Sequence, residues 1–314
     1  MKNCKINLQQ IDFTDNTFRL APLDEDIIPD ELSASIERIG VLHPPIIKEK
    51  RDDCYCIISG RKRLLALIEN GVKTVDCLVM GNSASIVNCL AVALEDALTG
   101  KTLEPVGRAF FFARILKEMD KKEAAKKFLP IMGFPPRPAL VDKFVSLLQL
   151  EKPLLKALYQ GELDEKTAME LVTLSFDERL VLFEVISLLN LSVSNQRKLT
   201  RASRELATRN NISIRQLFSN NEVDEILNHS TANQPQKVAK LMTWINEQRF
   251  PRLTAAEREF RQFSAKLQLP ENVSLAHSPS FEKDEITMTI IFSDRRELQK
   301  KWPTLAQNIL TDSQ

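Results

Sequence analysis

The sequence predicts a mixed α+β fold in three parts: a small α+β domain, an all-helical middle domain and a small C-terminal α/β unit. Three observations predict it. Strand and helix signals alternate through the first hundred residues, the strand signal vanishes from Glu104 for well over a hundred residues, and two strand-like runs return near the end.

In the first part, "PDELSASIERIG" sets Leu32, Ile36 and Ile39 on one helical stripe and stops at Gly40. "PPIIKE" follows as a short strand, and "CYCIISG" is a second one ending on Gly60. A helix then begins near Arg61 and stops at Gly71. After it come the strand "TVDCLVM" and a helix over about Ser85 to Ala97, with Ile86, Leu90 and Leu94 in register. These elements make a domain over residues 1–103.

The middle part, residues 104–220, reads as a chain of short helices. Pro105 sits where a helix can open, since its missing N–H costs nothing there. "KKEAAKKFL", "ALVDKFVSLLQL", "KPLLKALYQG", "DEKTAMELVTL", "FDERLVLFEVISLL" and "SNQRKLTRASRELATR" continue the pattern, with breaks at Pro153, Gly161 and Ser175. Residues 221–235 are polar and turn-rich and read as a linker. In residues 236–314 two helices precede the strands "NVSLAH" and "EITMTIIF". The second strand alternates, with Ile286, Met288, Ile290 and Phe292 on one face. Ser293 or Asp294 then caps a last helix. Two strands alone are marginal in water, so this unit is expected to complete itself against a second copy.

The 314 residues carry a net charge of +1, so bulk charge does not point to nucleic acid. The distribution says more: the first hundred residues hold 11 Lys and Arg against 15 Asp and Glu, a net −4, and the remainder is a net +5. No run approaches the roughly 20 apolar residues of a membrane helix, and "MKNCKINLQQ" has no apolar signal core, so a cytoplasmic location without membrane contact is expected. The five cysteines lie in the first third without zinc-like spacing and read as structural thiols.

The stretch "SGRKRLLALIENG" raises a chemical question. Arg61, Lys62 and Arg63 stand where a helix begins, the end whose free N–H groups and dipole favour anions. A strand ending in Ser59-Gly60 and turning directly into a helix presents backbone donors, and three cationic side chains add to them, so a phosphate there would relieve the repulsion. Solvated, screened surface side chains are the other reading of the same residues.

Three blocks in order, "ELSASIERIGVLHPPIIKE", "YCIISGRKRLLALIENG" and "EDALTGKTLEPVGRA", are similar to the N-terminal domain of ParB-type chromosome and plasmid partition proteins, a domain that shares its fold with sulfiredoxins. In that family the middle block reads Gly-Glu-Arg-Arg-x-Arg-Ala and binds the triphosphate of CTP. The resemblance implies a CTP site, with magnesium, at Gly60, Arg61, Lys62 and Arg63. It makes His43, before the proline pair, a candidate for a base contact, and Glu95 and Asp96, near the family's Glu-Asn pair, weak candidates for hydrolysis. "KKEAAKKF" with "ALVDKFVSLLQL" looks like the family's helix-turn-helix, and the C-terminal helices and strands look like its dimerisation unit. The implied protein is a homodimeric, nucleoid-associated DNA clamp switched by nucleotide, with a partition ATPase as a further partner.

This chain departs from the family pattern at several positions. Gly60, Arg63 and Ala66 fit the middle block, but Arg61 replaces its acidic residue, Lys62 an arginine and Leu65 the last arginine. A carboxylate for hydrolysis is thereby missing, which favours binding over turnover and keeps a nucleotide-independent DNA-binding regulator as the alternative. The turn of the reading motif is expanded to "LPIMGFPPRP", leaving Arg137 and Lys143 near the second helix, while Lys121, Lys122, Lys126 and Lys127 on the first suit phosphate contacts that position without specifying sequence. A sulfiredoxin would need a cysteine in the turn, where this chain has "SGRKR". A nuclease would need a metal cluster, for which Asp52, Asp53, Glu95 and Asp96 are the local candidates, and Asp52-Asp53 reads better as a hairpin turn.

Overall fold

A computed structural model describes residues 1–22, 26–50, 53–99 and 102–310, and it is a mixed α+β structure. The chain divides into two compact units, Met1–Glu225 and Ile226–Gln314.

The first unit opens with β1 (Lys2–Asn7), β2 (Ile11–Asp12) and α1 (Asp30–Ile39), followed by β3 (Ile46–Glu49), β4 (Tyr55–Ser59), α2 (Arg61–Glu69), β5 (Thr74–Met80) and α3 (Ile86–Leu98). The five strands form one sheet in the order β1-β5-β3-β4-β2. β1 pairs antiparallel with β5, β5 runs parallel to β3, β3 is antiparallel to β4, and β2 adds a short parallel edge to β4. The sheet has two apolar faces, because alternate residues of a strand point to opposite sides. Ile57 joins a core with Ile36 of α1 and Leu64 and Leu67 of α2, whereas Cys56 and Ile58 join a second core with Leu90 and Leu94 of α3.

That second core continues into the helical segment. α4 (Pro105–Ile115), α5 (Lys121–Phe128) and α6 (Pro138–Ser146) contribute Phe111, Phe112, Phe128 and Phe144, all buried and meeting ring on ring. Each such burial is worth about 1.5–3 kcal/mol, so the sheet and the first three middle helices hold together as one body. α7 (Lys152–Gln160), α8 (Glu165–Leu171), α9 (Phe176–Leu188), α10 (Val193–Asn210), α11 (Ile214–Phe218) and α12 (Asn221–Leu227) complete the helical series. Gly161 ends α7 in the left-handed region and Ser175 caps α9 in a capping box, as their types dictate.

The second unit contains α13 (Gln234–Arg249), α14 (Pro251–Lys266), β6 (Val273–His277), β7 (Ile286–Ile290) and α15 (Arg295–Leu310). β6 and β7 form an antiparallel pair with Leu275 opposite Met288. Asp294 accepts from the Glu297 amide at 2.8 Å and opens α15.

Three features differ from the sequence reading. β1 and β2 give no sequence signal strong enough to be expected, yet they close both edges of the sheet. Ile39, placed on the buried stripe of α1, is exposed, because the helix ends there and only Leu32 and Ile36 face the sheet side. The polar segment 221–235 begins with helix α12, whose Val223 is fully buried.

Candidate functional site

β4 ends at Ser59, and Gly60 turns the chain into α2 with φ +90°. A side chain at Gly60 would place its Cβ 3.0 Å from Cα and Cβ of Pro45, so both the backbone angle and the close approach require glycine. The first turn of α2 carries no acidic residue to satisfy its free N–H groups. A cavity of about 490 Å³ opens beside this turn, lined by Ser59 to Arg63, by Phe18, Arg19 and Asp26 before α1, by Ala93 and Ala97 of α3, and by Leu103, Glu104 and Tyr159. Its walls are mostly apolar and its polar groups converge at the strand-to-helix turn, the arrangement of a small-molecule site.

Two of the three cations of the turn, Arg61 and Arg63, are paired with carboxylates, which changes the picture of a run of like charges waiting for an anion. Arg61 Nε donates to both carboxylate oxygens of Asp26 at 3.0 Å, and its Nη2 donates to the Phe13 carbonyl at 2.8 Å. Arg63 Nη2 meets Asp96 at 3.2 Å while its Nη1 donates to the carbonyls of His43 and Pro44. Lys62 lines the cavity and makes no ion pair among the described residues. The carboxylates that offset the charge lie 35 residues before Arg61 and 33 after Arg63, out of reach of any local pattern.

His43 takes part through its backbone, its side chain being exposed and outside the cavity lining. Asp96 is held by Arg63 and by the Ser59 hydroxyl, so it is a structural partner of the turn. Glu95 is exposed on the next position of α3. Among the described residues no group of three or more His, Cys, Asp or Glu side chains could hold a metal. Asp53 lies in the β3–β4 turn with φ +53°, closed by the Lys50 amide bonding to the Cys54 carbonyl, and Asp52 lies outside the described residues.

Three of the five thiols are buried. Burial pushes the Cys56 and Cys77 thiols up to about 11 and raises Cys89 as well, so they stay protonated. Arg19 and Asp26, which sequence reasoning missed, sit at the centre of the polar end of the cavity. Arg19 Nη1 meets Asp26 at 3.0 Å, and its other nitrogens donate to the carbonyls of Ala21 and Pro22.

α5 and α6 form the second candidate surface. Asp120 caps α5 by accepting from the amides of Lys122 and Glu123, and Ala124, Ala125 and Phe128 bury one face. The opposite face exposes Lys121, Lys122, Lys126 and Lys127, and beyond the turn Arg137 and Lys143 are exposed at α6. Lys121 is engaged by Asp142 of α6 at 2.9 Å, leaving the other five to present their charge outward.

Residues 3–95 match the family model of the ParB N-terminal domain. The chain is 27% identical over 158 residues to a nucleoid occlusion protein of Listeria monocytogenes serotype 4a (strain HCC23), covering 50% of this chain and 53% of that protein. It is 23% identical over 163 residues to the nucleoid occlusion protein of Bacillus cytotoxicus, covering 52% and 54%. The match thus spans about half the length of these relatives. Among solved structures, a C-terminally truncated chromosome-partitioning protein ParB from Caulobacter crescentus complexed with CTP-gamma-S is 21% identical with TM-score 0.27, covering 56% of this chain and 94% of that one. The same protein complexed to the centromeric parS site is 20% identical with TM-score 0.35, covering 63% and 98%.

Proposed function

We propose that the protein is a dimeric DNA-binding clamp of the partition and nucleoid occlusion type, opened or closed by CTP with magnesium at the cavity beside Gly60. One observation carries this reading: a left-handed glycine at a strand-to-helix turn, followed by an acid-free helix start and the basic run Arg61 to Arg63, lines a cavity in a ParB N-terminal domain. Backbone N–H groups and guanidinium forks are the donors that a triphosphate needs. Gly60, Arg61, Lys62 and Arg63 would hold the phosphates, His43 would act through the carbonyl that fixes Arg63, and Glu95 and Asp96 would be the residues through which any weak hydrolysis would run. The exposed cations of α5 and α6 would hold the DNA backbone, the second unit would pair two copies, and the protein would sit on the nucleoid, where a partition ATPase is a further partner.

The pairing of Arg61 with Asp26 and of Arg63 with Asp96 favours a second reading, a DNA-binding regulator of the same architecture that takes no nucleotide. Calorimetric titration of the whole chain with CTP, with ATP, GTP and UTP as controls, in magnesium and with and without duplex DNA, separates the two. Saturable CTP-selective binding that Arg63→Ala abolishes supports the clamp. Absence of binding by all four nucleotides leaves the regulator.

A further inference from the structure

Two arginines of the cavity converge on one carboxylate. Arg19 Nη1 and Arg61 Nε each lie 3.0 Å from Asp26, and the side chains differ sharply in exposure, at 7% for Arg19, 19% for Arg61 and 34% for Asp26. The arginines are further fixed by carbonyls: Arg61 by Phe13, with its guanidinium over the Phe13 ring, and Arg19 by Ala21 and Pro22. Among the described residues Asp26 shows no such further fixture; it sits outside regular structure, four residues before α1. All three residues line the cavity. The donors are therefore built in by further hydrogen bonds, and the acceptor is a monovalent carboxylate outside regular structure that occupies the place where a more highly charged oxyanion would find two preset guanidinium groups.

We infer that Asp26 is an internal competitor for the anion of the cavity, a tethered carboxylate that a phosphate chain must displace from Arg19 and Arg61 before it can bind. This inference rests on reading the cavity as a polyphosphate site and assigns that site a built-in restraint. The restraint works in two ways. The carboxylate offsets the charge of the two part-buried guanidinium groups in the absence of ligand. It also repels weakly charged anions, so that a ligand with several phosphate charges, which can outmatch one carboxylate, gains over a monophosphate. Displacing Asp26 moves the start of α1, whose Ile36 packs in the same core as Leu64 and Leu67 of α2, which gives ligand occupancy a mechanical consequence in the sheet domain.

The test is calorimetric titration of the full chain and of Asp26→Asn and Asp26→Ser with CTP, CMP and inorganic tripolyphosphate, alongside a thermal melt of each unliganded protein. Removing a one-third-exposed ion-pair competitor is expected to tighten CTP and tripolyphosphate binding by about fivefold, from the ~1 kcal/mol such pairs contribute. The advantage of CTP over CMP is expected to narrow. The double variant Asp26→Asn, Arg61→Ala should lose the gain, which a merely structural role for Asp26 would not produce. Equal or weaker binding by both folded single variants overturns the competitor role while leaving the polyphosphate site standing. If wild type and variants alike bind none of the three probes, the competitor role and the polyphosphate reading fall together.

Discussion

Gly60 does two things no other residue type can do at that position. It holds φ +90° at the start of α2, and it lets the turn approach Pro45 with nothing between. Gly60→Ala is expected to cost about 1–3 kcal/mol, the price of a strained left-handed backbone, and a urea unfolding curve would show it as a lower midpoint with unchanged slope. A second residue-scale expectation concerns acid. The Thr14 hydroxyl and amide, joined by Lys50, hold the Asp12 carboxyl down to about 2 against its ordinary 3.8. Burial would raise its neighbour Asp15, but Lys50 at 2.7 Å and Thr17 hold it low as well. A depressed folded-state value stabilises above the unfolded one and is lost as pH falls through it. Stability should therefore drop as pH falls from about 4 to 2. Lys50→Met should flatten that drop in melts taken at successive pH values.

At the scale of elements, the charge on α5 and α6 can be separated into positioning and reading. If Lys122, Lys126 and Lys127 contact phosphates, Lys126→Ala with Lys127→Ala should weaken binding to every duplex alike and reduce the salt slope by about 2, as fluorescence anisotropy over a salt series would record. Lys121→Ala should change the slope least, because Asp142 already takes its charge. Arg137→Ala or Lys143→Ala should instead alter the ranking among DNA sequences. The same scale shows what a sequence makes legible. α2, α3 and the helices from α4 to α10 announce themselves through caps, prolines and apolar periodicity, and β4 through its apolar run. β1 does not, because in "KNCKIN" only Cys4 and Ile6 alternate with polar residues and the strand exists by pairing with β5, seventy residues away. The cavity is half legible for the same reason. Gly60 to Arg63 are contiguous and signal a turn with donors, whereas Arg19 and Asp26 enter from a loop without periodicity and are brought to Arg61 only by the sheet. Asp96 was visible beside Glu95 but not its role, since its partners Ser59 and Arg63 lie across the fold.

At the scale of the molecule, the second unit buries Leu241, Trp244 and Ile245 of α13 but leaves apolar side chains of β7 and α15 uncovered. Ile286 and Met288 of β7 are more than half exposed, and so are Ile291 and Trp302 nearby in the chain. A two-stranded sheet with such a face is marginal alone, and a two-fold partner would cover the same patch on both copies at once. Covering these four half-exposed side chains of Ile, Met and Trp is worth several kcal/mol at about 1.5–3 kcal/mol for each full burial, enough to sustain a dimer when the backbone edge adds to it. The double substitution Ile286→Asp, Met288→Asp is therefore expected to turn a dimer into a monomer in sedimentation equilibrium. The first unit has its own core, so its melting transition should be unchanged. CTP binding per chain, if the cavity beside Gly60 is the site, should be unchanged too. Retention on closed circular DNA should fall, because a clamp needs both arms joined. A variant that stays dimeric would place the pairing surface elsewhere. A monomer that still stays on circular DNA would mean that the protein holds DNA through α5 and α6 alone, without encircling it.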